Sequence, residues 1–281
     1  MKAQRAGQPH LQVVKPKPVG DWETPAGYPF TVPSIASLGE LDLDRPITFF
    51  VGENGSGKST LLEAIALAAG LPTVGSADGS RDPSLTDQRR LARALGLGWR
   101  LRTRRGFFLR AEDFFGFQKR LARERVELED RLREIDDDYA ERSAKARALA
   151  RGPVTSSIAD MDRRYGANPD ARSHGEAFLN LFQSRFVPDS LILLDEPEAA
   201  LSPQNQLGLV ALLMSMTDAG AQFIVATHSP IVLAAPGAAI LSFDGGRIGP
   251  VAYGDLPHVQ LTRDFLNDPG RYLRRLTNPT A

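Results

Sequence analysis

The stretch FFVGENGSGKSTLLEAIALAAG, residues 49–70, constrains this chain more than any other. Thr48, Phe49, Phe50 and Val51 are β-branched or aromatic in an unbroken run, the composition of a buried strand. Residues 59–70 are dominated by Leu and Ala, end at Gly70 and are followed by Pro72, which are the stop signals of a helix. Between them lies Gly52-x-x-x-x-Gly57-Lys58-Ser59, so the local fold is predicted as strand, tight loop, helix. Gly52, Gly55 and Gly57 free the backbone to turn successive N–H groups toward one anion. The helix that begins near Ser59 adds its positive end. Lys58 supplies a point charge for the β- and γ-phosphates, and the Ser59 hydroxyl is a hard oxygen ligand for Mg²⁺. Gly52, Glu53, Asn54, Gly55, Ser56, Gly57, Lys58, Ser59 and Thr60 are therefore the expected ATP contacts.

A phosphate loop alone does no chemistry. It needs a carboxylate on the metal side and a group that orients water. Residues 191–194, Leu-Ile-Leu-Leu, are an uninterrupted apolar run, the mark of a central parallel strand, and they end in Asp195-Glu196. In parallel α/β sheets, chemistry gathers at the carboxyl ends of the strands. Asp195 is expected to serve Mg²⁺ together with Ser59, and Glu196 to polarise the attacking water. A second apolar strand, residues 223–226, has His228 just past its end, where an imidazole could reach the γ-phosphate. The expected catalytic set is Glu196, His228 and Lys58.

With equal numbers of Lys+Arg and Asp+Glu, 34 each, no global field draws the chain to nucleic acid or membrane. Cysteine is absent, which removes disulfides, thiolate metal sites and a cysteine nucleophile and fits a cytoplasmic setting. The first 20 residues carry Gly7, Pro9, Pro16 and Pro18 and no apolar core, so they are expected to be a flexible lead-in rather than a secretory signal. No run approaches the 18 apolar residues of a membrane span, so membrane insertion is not expected.

Taken in order, GENGSGKST, LILLDEPEAALS and VATHSP resemble the ABC-type ATPase superfamily. Within it they look like the soluble branch, the stand-alone AAA-family ATPases related to RecF and to structural-maintenance-of-chromosomes heads. GFFLRAEDFF (residues 106–115) and RDFLNDPGRYLRRL (263–276) resemble a family of small ATPases in that branch. The resemblance implies an α/β three-layer P-loop fold that hydrolyses ATP with Mg²⁺. It also implies an ATP-dependent head-to-tail homodimer, in which a signature loop from one copy caps the phosphates held by the other. RSHGEAFL supplies the candidate loop, with Ser173, Gly175 and Glu176, and with His174 where the family usually has glycine. Ser173 and Glu176 also have the spacing of a helix capping box, which is compatible with that role. The Gln-bearing switch loop that the family implies is replaced here by Arg110 and Glu112, with Gln118 further on. Ser202 stands where a loop Asp is usual. Tyr28 and Phe30 are candidates either for stacking on adenine, from a first strand, or for plain strand packing.

Residues 118–152 carry Leu121, Leu128, Leu132, Ile135 and Tyr139 at helical spacing, which predicts one long amphipathic helix or a helical pair. The expected organisation is a lead-in over 1–20, a P-loop ATPase core of 21–112 and 177–281, and an inserted helical subdomain at 113–176 that contains the signature-like loop. Arg89, Arg90, Arg93, Arg100, Arg102, Arg104, Arg105 and Arg110 fall in a run without acids. Alternation in WRLRTRRGFFLR would put its arginines on one exposed strand face. That face is expected to meet a DNA or RNA backbone, to protect a sheet edge, or to contact the phosphates of ATP. DNA repair or defence, with DNA or a nuclease as partner, follows from the resemblance. A nucleotide-gated switch and a transporter's energy subunit are the rivals.

Overall fold

The computed structural model describes residues 8–18, 22, 27–74, 85–165, 179 and 182–277. Its centre is a seven-stranded sheet in the order β10-β9-β3-β8-β7-β6-β4. The strands are β3 (Ile47–Val51), β4 (Thr73–Val74), β6 (Gly106–Arg110), β7 (Leu191–Asp195), β8 (Gln222–Ala226), β9 (Ala239–Ser242) and β10 (Gly249–Pro250). All pairings are parallel except β10 with β9. The apolar runs seen in the sequence are unbroken because both faces of these strands are covered. Phe49, Ile192, Leu194, Phe223 and Val225 face one core, and Phe50, Leu191, Leu193 and Ile224 face the other. Phe49, Phe50 and Phe223 are wholly buried, each stabilising the fold by about 1.5–3 kcal/mol.

On one face lie α2 (Lys58–Ala69), α3 (Thr86–Ala94) and a three-stranded antiparallel sheet of β2 (Leu41–Asp42), β1 (Leu11–Pro16) and β5 (Leu95–Trp99). A four-residue helix, α1 (Pro33–Ala36), lies beside the phosphate loop. The other core is closed by residues of α6 (Pro203–Asp218), α7 (Pro230–Leu233) and α8 (Pro257–Asn267). α9 (Pro269–Thr277) follows. The result is the three-layer α/β P-loop fold that the sequence predicts, with a helical insertion. No helix among the described residues is long and apolar enough to cross a membrane.

The insertion is an antiparallel hairpin of α4 (Ala111–Asp138) and α5 (Ala144–Tyr165). Ion pairs Arg125–Asp162 and Arg151–Asp136 set that antiparallel register. The hairpin begins at Ala111, directly after β6, two residues earlier than the sequence boundary of 113.

The expected lead-in is corrected at residues 11–16, which form β1, the middle strand of the three-stranded sheet. Leu11 and Val14 are fully buried, and the backbone is clasped by Gln222 at the start of β8. Its Oε1 accepts from His10 N at 2.9 Å and Leu11 N at 2.8 Å. Its Nε2 donates to Leu11 O at 2.7 Å and Leu43 O at 3.0 Å. Pro9 and Pro16 bound this strand instead of forbidding it, since a proline is tolerated at strand ends.

The arginine run is also corrected. β6 is an interior strand between β4 and β7 and begins only at Gly106, so the arginines of 99–110 do not share one strand face. Arg89, Arg90 and Arg93 sit on α3 at one end of β5. Arg100, Arg102, Arg104 and Arg105 sit in the loop at its other end. Gly106 explains why the chain can enter β6 so tightly. Its φ is +126°, and a Cβ there would lie 1.8 Å from the carbonyl oxygen of Leu191.

Candidate nucleotide site

The loop 52–57 leaves the carboxyl end of β3 and feeds α2. Gly57, the residue before that helix, has φ +98°, and a Cβ on it would meet the Ser34 hydroxyl at 2.8 Å. Only glycine fits this left-handed position against α1. Two contacts hold the loop from outside. Ser34 Oγ donates to Ser56 O, and Glu53 N donates to Asp244 Oδ1 at 2.9 Å. Asp244 follows β9 and is itself steadied by the Ser242 hydroxyl, 3.2 Å from its Oδ2. Thr60 bonds the Tyr28 hydroxyl at 2.8 Å. Asn54 and Gly55 are exposed at the loop tip, and Ser56 Oγ is buried with no hydrogen-bond partner among the described residues.

Lys58 is buried, and its Nζ donates back to the loop carbonyls Gly52 O at 2.5 Å and Glu53 O at 2.9 Å. Burial lowers its pKa from the ordinary lysine value, against the opposing pull of Glu196, Asp195, Asp244 and Glu198. Four carboxylates around one ammonium keep the cation at the centre of the site.

Ser59 and Asp195, distant in sequence, meet directly: Ser59 Oγ donates to Asp195 Oδ1 at 3.0 Å. Burial raises the Asp195 pKa to about 6, against the Ser59 hydrogen bond and the Arg110 charge. Glu196 begins the 3-10 turn of residues 197–200 and is held left-handed at φ 49°, ψ 48°. Such a conformation costs a non-glycine residue on the order of 1 kcal/mol and needs over-determination by its surroundings. Here Glu196 N donates to Ala226 O at 2.9 Å. The turn is tied further by Glu198, whose Oε1 accepts from His228 N at 2.6 Å. His228 Nε2 stands 3.9 Å from Glu196 Oε1 and has no hydrogen-bond partner among the described residues. Burial, then the Lys58 charge, lowers the His228 pKa, which favours the neutral imidazole.

A cavity of about 390 Å³ opens beside these groups, lined by Ser59, Arg110, Glu112, Asp195, Glu196 and Ala199. Glu112, at the position where the resemblance implies a glutamine, lines this cavity. Gln118 lies in α4, two turns from the strand end. Ser202 caps α6, accepting from Asn205 N at 3.3 Å, so it acts on a helix end rather than on phosphate. The aromatic candidates separate. Phe30 is 1% exposed and packs edge-on against Trp22, which makes it core, whereas Tyr28 is 46% exposed. Neither lies in a strand, because residues 27–32 form turns. Ser173, Gly175 and Glu176 lie outside the described residues.

Sequence reasoning missed Asp244, Glu63 and Glu198. Glu63 has a readable signal, being the only charge in α2 after Lys58 and one turn along from Ser59. Asp244, in SFDGG, carries no local signal, because its role is made entirely by folding.

The residues present fit a triphosphate with a hard divalent cation. The glycine cradle, a buried ammonium, a hydroxyl touching a carboxylate and an unpartnered imidazole nitrogen all meet at one end of the sheet. No cluster of three or more His, Asp or Glu gathers around one point among the described residues, so a metal here would share its ligands with the nucleotide.

Residues 34–93 match a family model described as "AAA domain". Residues 177–234 match one described as "AAA domain, putative AbiEii toxin, Type IV TA system". No curated protein matches the chain. Among solved structures, the chain is similar to the Smc head domain with an extended coiled coil, bound to the C-terminal domain of ScpA, from Pyrococcus furiosus. That match has 13% identity, covers 92% of this chain and 99% of the other, and has a TM-score of 0.46. It is also similar to a nucleotide-free ATP-binding cassette from an ABC transporter, at 17% identity, covering 92% and 96% of the two chains, with a TM-score of 0.45. The first matched segment contains the phosphate loop and the second contains Asp195, Glu196 and His228, so the chain is similar to AAA domains over both parts of the site.

Proposed function

We propose that this protein binds ATP with Mg²⁺ and hydrolyses it to ADP and phosphate, and that the bound nucleotide joins two copies head to tail. The observation that carries the reading is the 3.0 Å contact of Ser59 with Asp195, at the mouth of a cavity shared with Glu196. The loop amides of 52–57 and Lys58 hold the phosphates, with Lys58 exchanging the carbonyls of Gly52 and Glu53 for phosphate oxygens. Ser59 and Asp195 hold the metal, which supplies charge neutralisation and polarisation at the phosphate oxygens when bound. Glu196 accepts the proton of the attacking water as the new P–O bond forms and the bridging P–O bond to ADP breaks. His228, neutral, donates from Nε2 to a γ-phosphate oxygen and keeps that group in line with the water. Ser173, Gly175 and Glu176 of the second copy complete the cap.

Light scattering with a non-hydrolysable ATP analogue and Mg²⁺ tests assembly. The mass is expected to rise from 30.6 kDa toward twice that value. An unchanged mass removes the dimer from the reading. Phosphate release no faster than a protein-free blank removes hydrolysis.

Nucleic acid is the partner that an observation favours. Arg102, Arg104 and Arg105 are exposed and have no ion-pair partner among the described residues. Their loop is braced, with Thr103 Oγ1 donating to Asp189 O at 3.1 Å and Arg105 N donating to Thr103 Oγ1 at 3.0 Å. It lies at the amino ends of the strands, about 16 Å of sheet away from the phosphate loop. Forked guanidiniums suit phosphate better than lysine does. Changing all three to Glu is expected to flatten the salt dependence of duplex DNA binding by about two to three units of log–log slope, with ATP turnover unchanged. Anisotropy titrations at several salt concentrations measure this, and equal binding by the variant excludes the loop.

A further inference from the structure

Arg110 is the cation of this site that no motif predicts. It is the last residue of β6 and stands in direct parallel register with Asp195, the last residue of β7. Adjacent strand ends thus put a guanidinium beside the metal-side carboxylate. Arg110 Nε is 3.6 Å from Asp195 Oδ2, while Oδ1 of the same carboxylate takes the Ser59 hydroxyl. Both oxygens of Asp195 are therefore engaged by the protein itself.

The other side of the guanidinium is anchored. Its Nη2 pairs with Glu63 Oε1. Glu63 is 4% exposed and lies on α2 one turn beyond Ser59. Gln88 also hydrogen-bonds Glu63, and Arg110 supplies the cation that this buried carboxylate pairs with. The aromatic ring of Phe108, on the same strand, supports the guanidinium from 5.7 Å. The Arg110 side chain is 28% exposed, and the part that is not packed faces the cavity shared with Ser59, Glu112, Asp195 and Glu196.

We propose that Arg110 is a built-in counter-ion of the metal-side carboxylate: it holds Asp195 while no divalent cation is bound and sets the magnesium concentration at which nucleotide binds with metal. The physical reason is competition. A divalent cation at Ser59 and Asp195 must take an oxygen that Arg110 neutralises, and it must lie near a fixed positive charge. Glu63 keeps the guanidinium in the site after Asp195 lets go, so the competitor never leaves. Arg110 is a positioning residue here, acting through Asp195. The inference rests on the reading that Ser59 and Asp195 form the metal side, and its test separates the two.

The test is a titration of a fluorescent ATP analogue against Mg²⁺, which reads binding and not turnover. Arg110→Met alone would leave the buried Glu63 without its cation, so the informative variant is Arg110→Met with Glu63→Gln. This pair keeps the summed charge of the site. Its half-saturating Mg²⁺ concentration is expected to fall about tenfold below that of the unaltered protein. Arg110→Lys restores a cation and is expected to bring the threshold back toward the original. An unchanged or raised threshold in the double variant overturns the inference, as does a Lys variant that behaves like the Met one. Asp195→Asn checks the underlying reading separately. If it leaves the Mg²⁺ dependence intact, the metal side has been misassigned, whatever Arg110 does. Circular dichroism melts of each variant establish that the comparison is between folded proteins.

Discussion

Glu196→Gln is expected to slow phosphate release by about 10²–10³-fold while leaving nucleotide affinity within about twofold. The two side chains have the same size, so the exchange keeps the left-handed turn and the bond from the residue 196 N–H to Ala226 O. It removes the one exposed carboxylate that stands within 3.9 Å of His228 Nε2 and lines the cavity beside Ser59. An amide cannot accept the proton that water loses on attack. Glu198 does not line that cavity, and its Oε1 takes the His228 N–H. Asp195 cannot substitute, because on this reading it holds the metal together with Ser59. Steady-state phosphate release and a fluorescent-nucleotide titration on the same samples measure the two quantities. A variant that keeps more than about a tenth of the rate would remove Glu196 from the role of base.

Lys58→Ala is expected to weaken ATP binding by about 100-fold or more, equivalent to about 2.7 kcal/mol. The ammonium is buried among Asp195, Glu196, Glu198 and Asp244, so its charge is neither screened nor duplicated nearby on the phosphate loop. Charge-assisted hydrogen bonds in such surroundings are worth about 1.5–3 kcal/mol each, and the lysine makes two such bonds to the loop carbonyls, which phosphate oxygens would replace. The fold should tolerate the change, because the loop stays fixed by Ser34 and Asp244. Calorimetric titration with ATP and Mg²⁺ gives the affinity, and undiminished binding by the variant would remove the phosphate-loop reading altogether.

What the sequence made legible is what local spacing encodes. β3, the glycine loop and α2 follow from eight residues of pattern and a helix stop. β7 and β8 follow from apolar runs that only a doubly covered sheet can use. Asp195, Glu196 and His228 were readable because strand ends are where such folds keep their chemistry. The misses have a common cause. β1 was hidden because prolines at its ends look like loop punctuation, and the fact that rescues the strand is the amide of Gln222, far along the chain. The arginine stretch alternates like a strand, yet Arg100 to Arg105 is a loop, because β6 starts only at Gly106, in register with Leu191 of β7. Asp244 and Glu198 act through tertiary hydrogen bonds to backbone N–H groups, which leave no periodic trace in sequence. Arg110 was visible as a departure from the expected glutamine, but its meaning needed the neighbouring strand.

The attachment of the helical hairpin has a mechanical consequence. α4 starts at Ala111, immediately after Arg110, and its base packs against the 3-10 turn that carries Glu198. Its 28 residues extend about 42 Å at 1.5 Å per residue. A pivot of about 10° at that base would sweep the far tip through about 7 Å, given the same rise per residue. Because that base adjoins the cavity of Ser59, Asp195 and Glu196, any such pivot would be read out as a lever's swing at the hairpin's far tip.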